Sequence, residues 1–480
     1  MSILDDQELF SKGLQLFKDN NLDNSLNYIN KIKNKNLNTL KLLSQIYKKK
    51  NDVKNTKIIL SKIMNLDKKN LYALYNLGEI SREEKNFIEA EKFYLNLISY
   101  NENFVPAHFN LASIYEDKGE LSLAKKIYLK LVDIDKKNFA VYFNLQRLDE
   151  DLITNETIKY INQEIKNEKN LKNKNIAYGH FVLAKNYRKK KNIKKELEEL
   201  SLGHQIFFNS DPINKDIVKY WLDTIPKMTN KKFLFYNNEK KKDKNHDIKP
   251  IFIFGIPRSG TTLVETIITS GDERIYNAGE NLIFQKAFQS SKFNKKMSEG
   301  KEFIKFDMKY FKKNILKNYL KQFSTDSKKF KFIDRTMTNF FFSELLLELF
   351  PNAKIINCKR NNFHNFVAIY QQCLNNLPWS HSVKDIKKYI SLYNKKLSQL
   401  EENYKNNILT IDLKKLTEFP VDTSKKIMSF CDLKWSQKVL KYYERKDLIC
   451  STASNIQIRK KIFKYDSAKF IPYKEYFDEF

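Results

Sequence analysis

The sequence predicts an α + α/β architecture, an α-helical solenoid followed by a three-layer α/β domain with a mainly parallel sheet. Three observations predict it. Tyr75-Asn76-Leu77, Phe109-Asn110-Leu111 and Phe143-Asn144-Leu145 recur at a step of 34 residues. Ile251 to Phe254 is an apolar run of strand length, followed by a loop bounded by Gly255 and Gly260 and then by Leu263, Val264, Ile267 and Ile268 at helical spacing. Beyond it, strand-like and helix-like segments alternate, the pattern of a parallel sheet covered on both faces.

Each element of the first part follows from the repeat. Ala90 and Ala124 share the 34-residue step, as do Tyr94 and Tyr128, and Leu97 and Leu131. This is the tetratricopeptide period, a helix-turn-helix unit in which small residues let two helices approach. Gly119 stands where the turn belongs. Weaker copies occupy Glu8 to Lys33 and Leu37 to Leu66, and a divergent one runs from Tyr178 to Ile206. Stacked hairpins give a concave face that holds a peptide or partner, or an arm that packs on the second domain or mediates self-association, a homodimer included. The expected division is residues 1–228 for the helical domain, 229–249 for a charged linker and 250–480 for the α/β domain.

In the second part, Phe330 to Asp334, Ala353 to Cys358 and Ile408 to Ile411 read as further strands, and Asn339 to Leu349 as a helix. Arg258, Arg335 and Arg360 all fall just past strand ends, where ligands gather in such sheets. The loop Gly255 to Gly260 has the spacing of a P-loop, but Thr261 stands where the lysine of a nucleotide triphosphatase belongs. That disfavours an ATP-dependent kinase or switch. Arg258, with the backbone of Gly260 and the hydroxyls of Ser259, Thr261 and Thr262, suits a single tetrahedral oxyanion group at a helix N-terminus.

Composition narrows the class further. With 480 residues, 41% hydrophobic and 14% aromatic, the chain is long and apolar enough for two or three cores. It contains no apolar run of the roughly 18 residues a membrane helix needs, and MSILDDQELF is no signal peptide, so a soluble cytoplasmic protein is expected. Cys358, Cys373, Cys431 and Cys450 form no CxxC pair, the histidines show no metal-ligand spacing, and no metal is expected. The net charge of +30 is spread along the chain as lysine beside asparagine, without an arginine-rich stripe, so no nucleic-acid partner is expected.

The loop PRSGTT after an apolar strand resembles the phosphosulfate loop of sulfotransferases that use 3′-phosphoadenosine 5′-phosphosulfate (PAPS), and the tetratricopeptide-repeat, tyrosylprotein-sulfotransferase-like enzymes match best. GDERIYNAGE resembles the segment carrying that family's glutamate, here Glu280. CKRNNFHNF resembles the segment that binds the 3′-phosphate, with Arg360 as its arginine; the serine usual eight residues later is Ala368, and the usual Asp-Pro is Asn361-Asn362. DRTMTNF resembles the family's DKxPxN, with Arg335 for lysine and Met337 for proline. STASNIQIRKKIF resembles TASxxQVRxPIY, matching Thr452, Ser454, Gln457 and Arg459, whereas the usual Tyr-Glu-Asp is Leu413-Lys414-Lys415.

The resemblance implies a P-loop-like sulfotransferase domain, PAPS as cosubstrate, and in-line transfer to a hydroxyl-bearing acceptor: a protein tyrosine, a carbohydrate or a small molecule. It assigns Arg258, Ser259, Gly260, Thr261, Thr262, Arg360, Ser454 and Arg459 to PAPS, and Glu280, Arg258 and Arg335 to catalysis, with Glu280 as the base. Asp334 is the alternative base and Glu265 reads as structural. The other reading is an impaired sulfotransferase-like scaffold that serves the repeats as a protein-binding module.

Overall fold

The computed structural model describes residues 5–168, 173–229, 249–272, 274–289, 313–315, 317–319 and 331–477. The chain divides into two compact units between Glu150 and Asp151. Most of the expected linker, residues 230–248, lies outside the described residues.

The first unit is a run of antiparallel helix pairs: Asp6–Lys18 with Leu22–Lys31, Leu37–Lys49 with Val53–Leu66, Leu71–Glu83 with Phe87–Tyr100, and Val105–Lys118 with Leu121–Ile134, then Phe139–Leu148. The residues on the 34-residue step do the packing. Ala90, Tyr94, Leu97, Ala124, Tyr128 and Leu131 are all buried. Gly78 is needed for close approach, because a Cβ there would sit 2.7 Å from Tyr94 Cε1. The buried Tyr128 hydroxyl donates to Glu116 Oε1 at 2.7 Å, and Arg147 donates to the other oxygen at 3.0 Å, so the phenol and the carboxylate satisfy each other away from water. Asn51, Lys85 and Gly119 take left-handed φ values of 55°, 62° and 83° at successive turns. Only the last is glycine, so only that turn is announced by its residue type.

In the second unit, helices Asn155–Asn167, Lys174–Lys189 and Ile193–Asn209 precede the sheet. The divergent repeat therefore belongs to the same compact unit as the α/β domain. Glu196, fully buried, accepts from Arg188 Nε at 2.6 Å, Gln371 Nε2 at 3.1 Å and Tyr473 OH at 2.7 Å. Three donors from separate segments compensate its desolvation.

Among the described residues the sheet has five parallel strands: β1 (Ile251–Gly255), β2 (Tyr276–Asn277), β3 (Phe332–Asp334), β4 (Lys354–Lys359) and β5 (Ile408–Asp412), in the order β2-β3-β1-β4-β5. β1 is buried throughout because both faces are covered. Ile251, Ile253, Ile356 and Ile411 pack with Val264, Ile267 and Ile268 of helix Thr261–Gly271 and with Ile427 and Met428. Phe252 faces the other way, 6.3 Å from Phe332 and Phe350. The chain leaves β1 toward β3 on one side and reaches β4 on the other, which makes the C-terminal end of β1 the switch point where such sheets bind ligands.

Two expectations are corrected. β2 was not expected, because two residues carry no alternation. The helix expected over Asn339 to Leu349 is a 3₁₀ segment, Met337–Phe342, followed by an α-helix, Ser343–Leu349. Phe340, Phe341 and Phe342 are all buried in succession, and a helix with one apolar face cannot bury three neighbours.

Candidate active site

The loop after β1 turns sharply at Arg258, whose φ of 71° is left-handed, and again at Gly260 with φ 95°. The arginine conformation is sterically costly, and such positions cluster at functional sites. Its effect is to turn the loop back over the start of helix Thr261–Gly271, whose first-turn N–H groups have no intrahelical partner. A Cβ on Gly255 would come within 2.4 Å of Ser259 Oγ, so the strand end must be glycine for the loop to close. Ser259 itself is buried, and its hydroxyl has no hydrogen-bond partner among the described residues. Thr262 Oγ1 lies 3.4 Å from Thr452 Oγ1.

Arg258 reaches across to the tail, donating to Ser454 Oγ at 2.9 Å and Gln457 Oε1 at 3.0 Å. Arg360, after β4, donates through Nη1 to the Arg258 carbonyl at 2.8 Å and through Nε to the Tyr465 hydroxyl at 2.9 Å. Its guanidinium carbon lies 5.1 Å from the Tyr465 ring centroid and 4.9 Å from that of Phe470. Burial pushes Arg360 below the ordinary arginine value, against the contrary pull of Tyr465. Among the described residues no carboxylate forms an ion pair with it. Arg258, Ser259, Gly260, Thr261, Thr262, Arg360 and Ser454 thus meet at the neighbouring C-terminal ends of β1 and β4. Arg459 holds the tail in shape, donating to Asn455 Oδ1 at 3.0 Å and the Leu448 carbonyl at 2.9 Å.

Arg335, after β3, has a different environment. It donates through Nε to Glu265 Oε2 at 2.8 Å and through Nη1 to Glu280 Oε1. Its side chain and that of Glu265 are 5% and 7% exposed, whereas Glu280 is 43% exposed. Burial acts to lower the Arg335 pKa, but Glu265 and Glu280 outweigh it and hold the group above its ordinary value. Gly279 takes φ 59°, and its carbonyl accepts the Arg335 N–H at 2.9 Å, which aims Glu280 at the guanidinium. Asp334 is occupied elsewhere, accepting from the Tyr319 hydroxyl and from the Thr336 N–H at 2.9 Å. Arg335 was expected to be catalytic and Glu265 structural; in the structure one buried carboxylate, Glu265, and one half-exposed carboxylate, Glu280, share the Arg335 guanidinium. Sequence reasoning missed that sharing and also missed Tyr465 and His364. An aromatic residue in a polar tail, over 100 positions from Arg360, carries no local signal. Among the described residues no group of His, Cys, Asp and Glu could hold a metal ion, and no helix is long and apolar enough to cross a membrane.

A family model described as "Sulfotransferase family" matches residues 250–437, and one for the tetratricopeptide repeat matches residues 71–104 and 105–138. An uncharacterized protein of Aquifex aeolicus (strain VF5) is 31% identical over 317 residues, covering 62% of this chain and 40% of its own length. A protein-tyrosine sulfotransferase of Drosophila melanogaster is 21% identical over 233 residues, 44% of each chain. The chain thus spans less than half the length of these curated relatives. Among solved structures, the sulfotransferase domain of the Synechococcus PCC 7002 olefin synthase aligns with TM-score 0.33 and 16% identity, over 47% of this chain and 87% of that one.

Proposed function

We propose that this chain, whose residues 250–437 match the sulfotransferase family model and follow tetratricopeptide repeats, is an enzyme that moves a sulfuryl group from PAPS to a hydroxyl acceptor. The observation that carries this is the pairing of Arg258 and Arg360 across the β1–β4 strand ends, with Arg360 lacking any carboxylate partner among the described residues. A guanidinium partly withdrawn from water and left without an anion is what a bound phosphate would complete. The orphaned Ser259 hydroxyl also fits an oxyanion in the loop.

PAPS, when bound, supplies a sulfuryl group on a phosphosulfate linkage. The chain's own residues then have separable tasks. The N–H groups of Gly260, Thr261 and Thr262 and the Arg258 fork neutralise charge on the peripheral oxygens of a loose transition state. Glu280 takes the acceptor's hydroxyl proton as the new sulfur–oxygen bond forms. As the old sulfur–oxygen bond breaks, its electron pair stays on the departing phosphate, which Arg258 balances. Arg335 fixes the direction of Glu280. Arg360 anchors the 3′-phosphate, and the repeats hold the acceptor or a partner.

Titration calorimetry with adenosine 3′,5′-bisphosphate tests the donor site, and one-to-one binding with no comparable affinity for ATP is expected. Equal affinity for ATP would overturn the assignment. The second reading, a non-catalytic scaffold, is favoured by Arg335 being neutralised by two carboxylates. It predicts nucleotide binding without acceptor-dependent release of the bisphosphate.

A further inference from the structure

Arg360 is followed by helix Asn362–Tyr370, and one face of that helix is unlike the rest. Phe363, Asn365, Phe366 and Val367 are buried, whereas His364 and Ala368 are only partly so. These two stand one turn apart, hence on one face. Ala368 is the position where the resemblance expects a hydroxyl. His364 is the group beside it.

The surroundings of His364 fix its ring. Nδ1 lies 2.7 Å from the Tyr465 hydroxyl, which also accepts Arg360 Nε–H at 2.9 Å. The imidazole stacks on Phe470 at 4.6 Å with 20° between planes. A phenol has one proton to give. If Tyr465 gives it to Nδ1, the imidazole keeps an Nε2–H. If Nδ1–H donates to Tyr465, the phenol keeps its O–H. Either way one donor stays uncommitted next to Arg360. Lys469 joins them from the tail, its ammonium lowered by partial burial and by Arg360, Arg258 and Arg188, against the contrary pull of Asp466. Among the described residues, no carboxylate forms an ion pair with Arg360, His364 or Lys469.

We propose that His364, oriented by Tyr465, binds the phosphate held by Arg360 in place of the hydroxyl that Ala368 lacks, and so selects a nucleotide phosphorylated on its ribose as well as at its 5′ end. This rests on the nucleotide-donor reading above. Tyr465 is a positioning residue, and His364 touches the ligand.

The charges facing His364 support the assignment. Burial first, then Arg360 beside it and Lys474 and Lys469 from the tail, push the imidazole below its ordinary value, with Tyr465 hydrogen-bonded to the ring, Phe470 stacked on it and Asp466 facing Lys469 and Tyr465. Before binding, these surroundings therefore favour the neutral ring. A phosphate dianion opposes those cations and favours the imidazolium, so binding takes up a proton and tightens as pH falls.

Calorimetry with adenosine 3′,5′-bisphosphate and adenosine 5′-phosphate tests this on the full chain. In His364→Ala, affinity for the bisphosphate is expected to fall about tenfold or more, with affinity for the 5′-phosphate unchanged. Adding Ala368→Ser to that variant should recover most of the loss, and proton uptake on bisphosphate binding should vanish. Tyr465→Phe should lose bisphosphate affinity several-fold and covers the case in which His364→Ala does not fold. Equal losses for both nucleotides, or none, would overturn the inference while leaving the donor reading intact. A wild-type protein that does not distinguish the two nucleotides would instead overturn the donor reading itself.

Discussion

Replacing Arg335 by methionine removes the one cation that two carboxylates share, and the structure sets the cost. Glu265 is 7% exposed and would be left as an uncompensated buried charge, a situation that costs about 3–5 kcal/mol. Glu280, 43% exposed, would find water and add no more than about 1 kcal/mol. Arg335→Met should therefore lower unfolding free energy by roughly 3–5 kcal/mol. Glu265→Leu/Arg335→Met should recover most of it, because an apolar pair of similar volume replaces the buried ions without their desolvation. Guanidinium denaturation, followed by a probe confined to the second unit, measures both. A single variant costing less than about 1 kcal/mol, the range of exposed pairs, would show that Arg335 is not the buried hub described here. So would a double variant no more stable than the single one.

Other consequences concern the nucleotide and acid. Arg258→Ala should lose bisphosphate affinity more than Arg360→Ala, with both weakened by about 1.5–3 kcal/mol in calorimetry; wild-type affinity in the Arg258 variant would remove that residue from the site. Burial lowers His204 to about 4, against the hydrogen bond from its Nε2 side to the Tyr370 carbonyl. Its folded-state value thus lies below the unfolded one, so the unfolded chain binds the extra proton and stability falls as pH drops from about 6.5 toward 4, by up to ~3 kcal/mol for this group. His204→Gln should flatten that part of the stability–pH profile, and an unchanged profile would contradict it.

The physics of local pattern explains what could be read in advance. The strand Ile251 to Phe254, the glycines that bound its loop and the arginine inside it are consecutive, so spacing alone places them. The 34-residue step likewise fixes Ala90, Tyr94 and Leu97 as packing residues. What could not be read depends on distance in sequence. Glu265 lies in a helix 70 residues before Arg335, and nothing in VETIIT distinguishes a carboxylate that will meet a guanidinium from one that faces water. Tyr465 comes 105 residues after Arg360. Asp334, adjacent to Arg335 in sequence, was expected as the alternative base, but neighbours along a strand point to opposite faces, and Asp334 meets Tyr319 instead. The left-handed turns at Asn51 and Lys85 were hidden for another reason: the stacked helices over-determine those turns, and residue type does not report it.

The most direct test of the central claim is transfer itself. With sulfur-35-labelled PAPS and a panel of phenolic, peptidyl-tyrosine and carbohydrate acceptors, the protein is predicted to release adenosine 3′,5′-bisphosphate in step with label appearing on an acceptor. Glu280→Gln should keep nucleotide affinity while turnover falls by about 10² to 10⁴, the usual contribution of a positioned base. Bound nucleotide with no label moved to any acceptor would contradict the claim of transfer, and undiminished turnover in Glu280→Gln would contradict the role given to that carboxylate.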